Sequence, residues 1–175
     1  MCEWHRIGLA ASRAERLLTL IYSVESQHGT WALSAADKQD GFPRPYAAPL
    51  DFNQVFSLAA PFFTGCPSDA SSLDLPFKAF PALTVTSTGP FKVGDKINFS
   101  TEKDVGAKYA AFVDTLGAKF VPISGTSGSI TIPEGITGQS YLVLTKDNKG
   151  TKDANTVAGP AIVNVPVQAT TFSYA

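Results

Sequence analysis

The chain has 175 residues, enough for one ordinary domain or a small domain with an appendage. Its 14 basic residues stand against 15 acidic ones, so the net charge is −1, and no run of either sign exists to serve as a nucleic-acid footprint or a polybasic membrane patch. Hydrophobic residues make up 44% of the chain, which is too apolar for a disordered protein.

The opening MCEWHRIGLAASRAER is interrupted early by charges and holds no apolar run of the length a signal peptide or membrane helix needs. Neither an export signal nor a membrane span is expected, and the start, with His5, reads as disordered. From about Ala14 to Ala36 there is no proline and only one glycine, and good helix formers such as ERLLTLIYS predict a helix. At about 100° per residue, Leu17, Ile21, Val24, His28 and Trp31 fall into one apolar stripe. Glu25 lies on its flank, and Glu15, Thr19, Ser23, Ser26 and Thr30 lie opposite.

Glu25 and His28 form an E-x-x-H pair. Three residues apart on a helix, a carboxylate and an imidazole nitrogen share one face and reach one metal ion. The plain alternative is a surface glutamate beside a histidine bonded within the packing. Carboxylate-bridged di-metal sites draw ligands from four helices, so this chain needs a second chain to complete one.

Between Asp37 and Pro49 the composition becomes DKQDGFPRPYAAP, a surface connection. Asp51 with Gln54 then forms a capping box before VFSLAA, predicting a short helix over Phe52 to Ala60 that Pro61 stops. The run PFFTGCPSDASSLDLPF leads out as a linker. Tyr46, Phe62, Phe63, Phe77 and Phe80 around it are expected to dock the helical part on the rest. Cys2 and Cys66 lack metal-type spacing, and both a disulfide between them and a plain buried Cys66 thiol are open.

Beyond about Pro81 the period becomes alternating. LTVTSTG, DKINFST, KYAAFVD, AKFVPIS, GSITIPE, QSYLVLT and AIVNVPV are short runs rich in β-branched and aromatic residues, separated by turn signals. They predict an antiparallel, immunoglobulin-like β-sandwich, with Ile97 and Phe99, Ile130 and Ile132, and Leu142 and Leu144 facing inward. SGTSGS has no lysine or helix after it, so it reads as a hairpin turn and not a phosphate loop. Asp147, Asn148 and Asp153 lack the order of a calcium loop and read as turn residues. Asn98 in NFS is a glycosylation acceptor if the chain is exported. No G-x-S-x-G occurs, and two histidines far apart do not build a catalytic triad.

Three segments, SVESQHGTW, PLDFNQVFSLAAPFFTGCP and NTVAGPAIVNVP, taken in that order, resemble the fungal ferritin-like proteins of the stress-response and late-sexual-development type, which are related to plant desiccation-related proteins. The likeness covers roughly Ala14 to Pro166. It implies a ferritin-like bundle, normally behind a secretion signal, followed by a β-rich region. Glu25 and His28 would occupy the E-x-x-H position of the last long helix, with iron or manganese bound only where a bundle is completed. The earlier bundle helices are not recognisable here, so a truncated or divergent relative is expected. Its apolar stripe would dock on the sandwich, on a second copy or on a partner chain.

The expected fold class is therefore α+β. Residues 1–64 form a helical segment resembling the end of a ferritin-like domain, 65–80 a linker, 81–168 the β-sandwich and 169–175 a tail. The expected function is a non-enzymatic, stress- or development-associated role in binding or structure. Two alternatives stand beside it: a metal-dependent oxidase or iron-handling protein completed by self-association, and an extracellular carbohydrate-binding or adhesion sandwich.

Overall fold

The computed structural model describes residues 4–42, 46–64 and 76–167, with only the backbone described at 4–16 and 18. Cys2, Cys66 and the 169–175 tail lie outside the described residues. The chain divides into two units, Met1–Phe42 with Val167–Ala175, and Pro43–Pro166.

The first unit is built on α1 (Trp4–Trp31), continued by a π-helical turn over Ala32–Ala36. The helix begins ten residues before the expected Ala14, and the segment holding His5 is helical. WHRIGLAAS contains no proline, and its alanine, leucine and arginine favour helix. Beyond the π turn the N–H groups of Asp37 and Gln39 donate to Ala32 O and Leu33 O at 3.1 and 2.9 Å. Lys38 adopts a left-handed φ of 56° there, uncommon outside glycine, and its Nζ donates to Ala35 O at 2.7 Å. The chain then folds back so closely that a Cβ on Gly41 would stand 2.7 Å from the Thr30 methyl.

The second unit contains α2 (Phe52–Ala59) and seven strands: β1 (Leu83–Val85), β2 (Lys96–Thr101), β3 (Tyr109–Asp114), β4 (Gly117–Pro122), β5 (Ser127–Thr131), β6 (Gly138–Thr145) and β7 (Thr156–Val165). They form two antiparallel sheets, of order β1-β2-β5 and β4-β3-β6-β7, so the fold is mixed α+β with a sandwich-like arrangement. Each of the seven expected runs contains a strand. The last is longer than AIVNVPV because it starts at Thr156, where a turn over Lys152–Asn155 hands the chain to the sheet.

All six residues expected to face inward are buried, and they join Ala110, Phe112, Ala158 and Val163 in one core. Two inner strands depart from simple alternation. β3 and β6 also bury Ala111, Val113 and Val143 on their other face, beneath Leu50, Phe120 and Tyr141. A strand covered on both faces reads as a continuous apolar run, as YAAFVD does. β7 carries an irregularity against β6 near Leu142 to Leu144. Gly159 sits there at φ +93°, and a Cβ would come within 2.9 Å of Leu142 O, so only glycine fits without displacement.

Candidate functional site

On α1 the stripe expected to dock is exposed. Leu17, Ile21, Val24 and Trp31 retain 60, 52, 45 and 68% of their accessible surface, and Leu20, at 63%, widens the stripe. Glu25 and His28 are exposed as well. The opposite face satisfies itself. The hydroxyls of Ser23, Ser26, Thr30 and Ser34 donate back to the carbonyls of Leu20, Tyr22, Ser26 and Thr30 at 2.7–3.0 Å. This polar row explains how a helix carrying so many serines and threonines keeps its hydroxyls bonded.

The metal reading of Glu25 and His28 depends on further ligands. Among the described residues no group of three or more His, Cys, Asp and Glu side chains is placed to hold an ion. The two side chains supply at most two donors from one exposed helix face. The described residues of one chain therefore do not by themselves make a di-metal centre, which takes carboxylates and histidines from four helices.

Asn98 stands outward on β2 between buried Ile97 and Phe99, opposite Ser129 of β5. Its backbone N–H donates to Ser87 Oγ at 2.8 Å, and its carbonyl accepts from Thr86 N–H at 2.9 Å. Among the described residues no helix is long and apolar enough to cross a membrane.

The second feature lies under α2. The expected capping box is present, with Asp51 N–H donating to Gln54 Oε1 at 3.0 Å. Gln54 is also the buried residue of the helix, and its Nε2 donates to Thr151 O at 2.5 Å and to Thr156 Oγ1 at 2.8 Å. Two aspartates close the contact reciprocally. Asp153 N–H donates to Asp51 Oδ2 at 3.0 Å, and Asn53 N–H donates to Asp153 Oδ2 at 2.9 Å. The backbone N–H of Asp153, followed by that of Phe52 and the charge of Lys152, holds the Asp51 carboxyl below its ordinary value, against the partial burial that raises it.

This polar clasp ties α2 to the 151–156 turn, and the aromatics expected to dock the helix divide between exposed and packed positions. Tyr46, Phe62 and Phe63 are 76, 84 and 60% exposed. Phe63 and half-buried Phe77 pack with Phe52 and Phe56, ring centroids 5.7–6.4 Å apart, away from the buried glutamine. Phe80 is tied through its backbone N–H to Ser57 Oγ at 2.8 Å. The aromatics border an open groove of about 430 Å³ lined by Leu50, Phe52, Val55, Phe56, Ala59 and Phe77.

Asp153 was expected to be a turn residue, and the sequence held no sign of its second role, since its partners lie about 100 positions away. Asp147 does shape the turn. Asn155 Nδ2 donates to its carbonyl and its Oδ1 at 3.0 Å.

No protein-family model matches the chain, and a search of curated proteins finds no match either.

Proposed function

We propose that this protein has a non-enzymatic binding or structural role, exercised by seating the apolar face of α1 against another helix. The exposed stripe from Leu17 to Trp31 carries the reading. A long helix whose described side chains are nearly all exposed gains little from packing, and isolated helices are marginal in water. A partner surface supplies the missing burial, as large exposed apolar patches commonly require.

The sandwich unit is the folded body that such a helix would display. Its three-plus-four strand partition supports an immunoglobulin-like reading, with β4 beside β3 where a variable-type sandwich adds its extra strand. The resemblance of SVESQHGTW and the segments after it to ferritin-like stress and development proteins supports descent from a bundle helix. That descent accounts for an E-x-x-H pair beside an apolar stripe.

Both tryptophans, Trp4 and Trp31, lie in α1, so indole emission reports on this helix alone. Rising protein concentration, or addition of the partner, is expected to shift emission to the blue and shield it from acrylamide, and Ile21→Glu abolishes both changes. Emission of a fully exposed indole in wild type and variant alike, under every condition, refutes the reading. Stoichiometric iron or manganese on an oligomer, lost in Glu25→Gln and His28→Ala, would replace it with the metal-dependent alternative.

A further inference from the structure

We infer that Asn98 carries an N-linked glycan and that this glycan guards the open edge of β5. Among the described residues β1 and β5 are the edge strands of one sheet, β4 and β7 those of the other. An exposed edge offers unpaired N–H and C=O groups to another chain, and proteins blunt it with short strands, charged side chains or proline. β1 is three residues long, β4 carries Lys119 and Pro122, and β7 contains Pro160. β5 has none of these defences. Its run SGSIT is uncharged, holds no proline and pairs on one side only, with β2, among the described residues. Ser127, Gly128, Ser129 and Thr131 are exposed.

The acceptor sequence NFS lies on the neighbouring strand, where a cover for that edge would be rooted. Side chains two apart on a strand share a face, so Asn98 and the Ser100 hydroxyl that completes the motif lie on the outer face, while Phe99, 2% exposed, enters the core. Modifying Asn98 therefore removes nothing from the core. Its neighbours on the outer face are small and polar: Ser129 lies opposite it, and Ser100 pairs with Thr84 on one side and Ser127 on the other. None of these competes with a sugar for space, and their hydroxyls match those of a sugar. Adjacent strands are about 4.8 Å apart, so a sugar chain rooted at Asn98 overhangs β5. In the transfer, Asn98 Nδ2 attacks the anomeric carbon of a lipid-diphosphate-linked oligosaccharide. The C–N bond forms, the bond from that carbon to the diphosphate oxygen breaks, the lipid diphosphate leaves, and Nδ2 gives one proton to a base of the transferring enzyme. The chain accordingly passes through a compartment that holds such donors.

The test uses the full chain, secreted from a eukaryotic cell behind a cleavable leader. Peptide N-glycosidase is expected to lower its mass by one oligosaccharide and to convert Asn98 to aspartate. Asn98→Gln and Ser100→Ala are expected to lose the glycan, and Ser100→Thr to keep it. The guarding role is read in an Ile21→Glu background, which removes the α1 face as a route of association. There the enzymatically deglycosylated protein is expected to self-associate with a gain of strand signal, by light scattering and circular dichroism, while the glycosylated protein stays monomeric. Ser129→Lys, which places a charge on the edge, is expected to restore the monomer without the glycan. Enzymatic removal acts on folded protein, so a folding defect in a variant does not enter this comparison. A secreted, folded chain with Asn98 unmodified overturns the inference, as does a wild-type chain retained in the cell without a glycan. A glycan whose removal leaves the protein monomeric overturns the guarding role.

Discussion

Replacing Gln54 by leucine tests whether polar bonds, and not aromatic packing, hold α2 in place. The substitution keeps the side chain's approximate size and removes three hydrogen bonds, to Thr151 O, to Thr156 Oγ1 and from Asp51 N–H. At about 0.5–1.5 kcal/mol net for each, the loss is about 3 kcal/mol. Thr156 Oγ1 keeps its own bonds to Thr151 O and Lys152 O at 3.2 Å, so no buried hydroxyl is orphaned. The leucine regains about 1 kcal/mol by burying apolar surface. A net destabilisation of about 2 kcal/mol follows, equivalent to a fall in Tm of roughly 4–8 °C for a chain of this size. Urea unfolding followed by far-UV circular dichroism measures it, with Val55→Ala, at a half-exposed neighbouring position, as the control expected to change little. Stability of Gln54→Leu within about 0.5 kcal/mol of wild type would refute the reasoning and return the docking of α2 to its aromatics.

Because the Asp51 carboxyl is held below its ordinary value of 3.8, the stability it contributes is complete above that pH and is lost as pH falls through the lowered value. Urea midpoints between pH 2.5 and 7 should therefore show an acid limb that Asp51→Asn flattens; an unchanged limb counts against the clasp. Gly159→Ala is expected to cost about 2 kcal/mol or more, since it forces a left-handed φ and a Cβ 2.9 Å from Leu142 O, and thermal melts would reveal a smaller effect at once. Gly29→Ala, where an added Cβ meets nothing within 4 Å, is expected to stabilise α1 by about 0.5–1 kcal/mol, read as increased amide protection around position 29.

The features legible from the residues alone are those whose partners lie close along the chain. The alternating runs after Pro81 specify strands because side chains on a pleated strand point to opposite faces, and their inward residues form the core. The Asp51–Gln54 box was legible because its partners are three residues apart. The stripe of α1 was legible for the same reason, since helical spacing alone places Leu17, Ile21 and Val24 together. What each surface meets follows from contacts between segments far apart in the chain. Nothing near Gln54 in sequence announces that it will be buried against Thr151 and Thr156, because those partners are brought in by sheet topology across about 100 residues. The same holds for the stripe: periodicity states that α1 has an apolar face, but whether that face is covered depends on long-range packing. Glu25 and His28 stand exposed beside that face, a placement that helical spacing alone does not state.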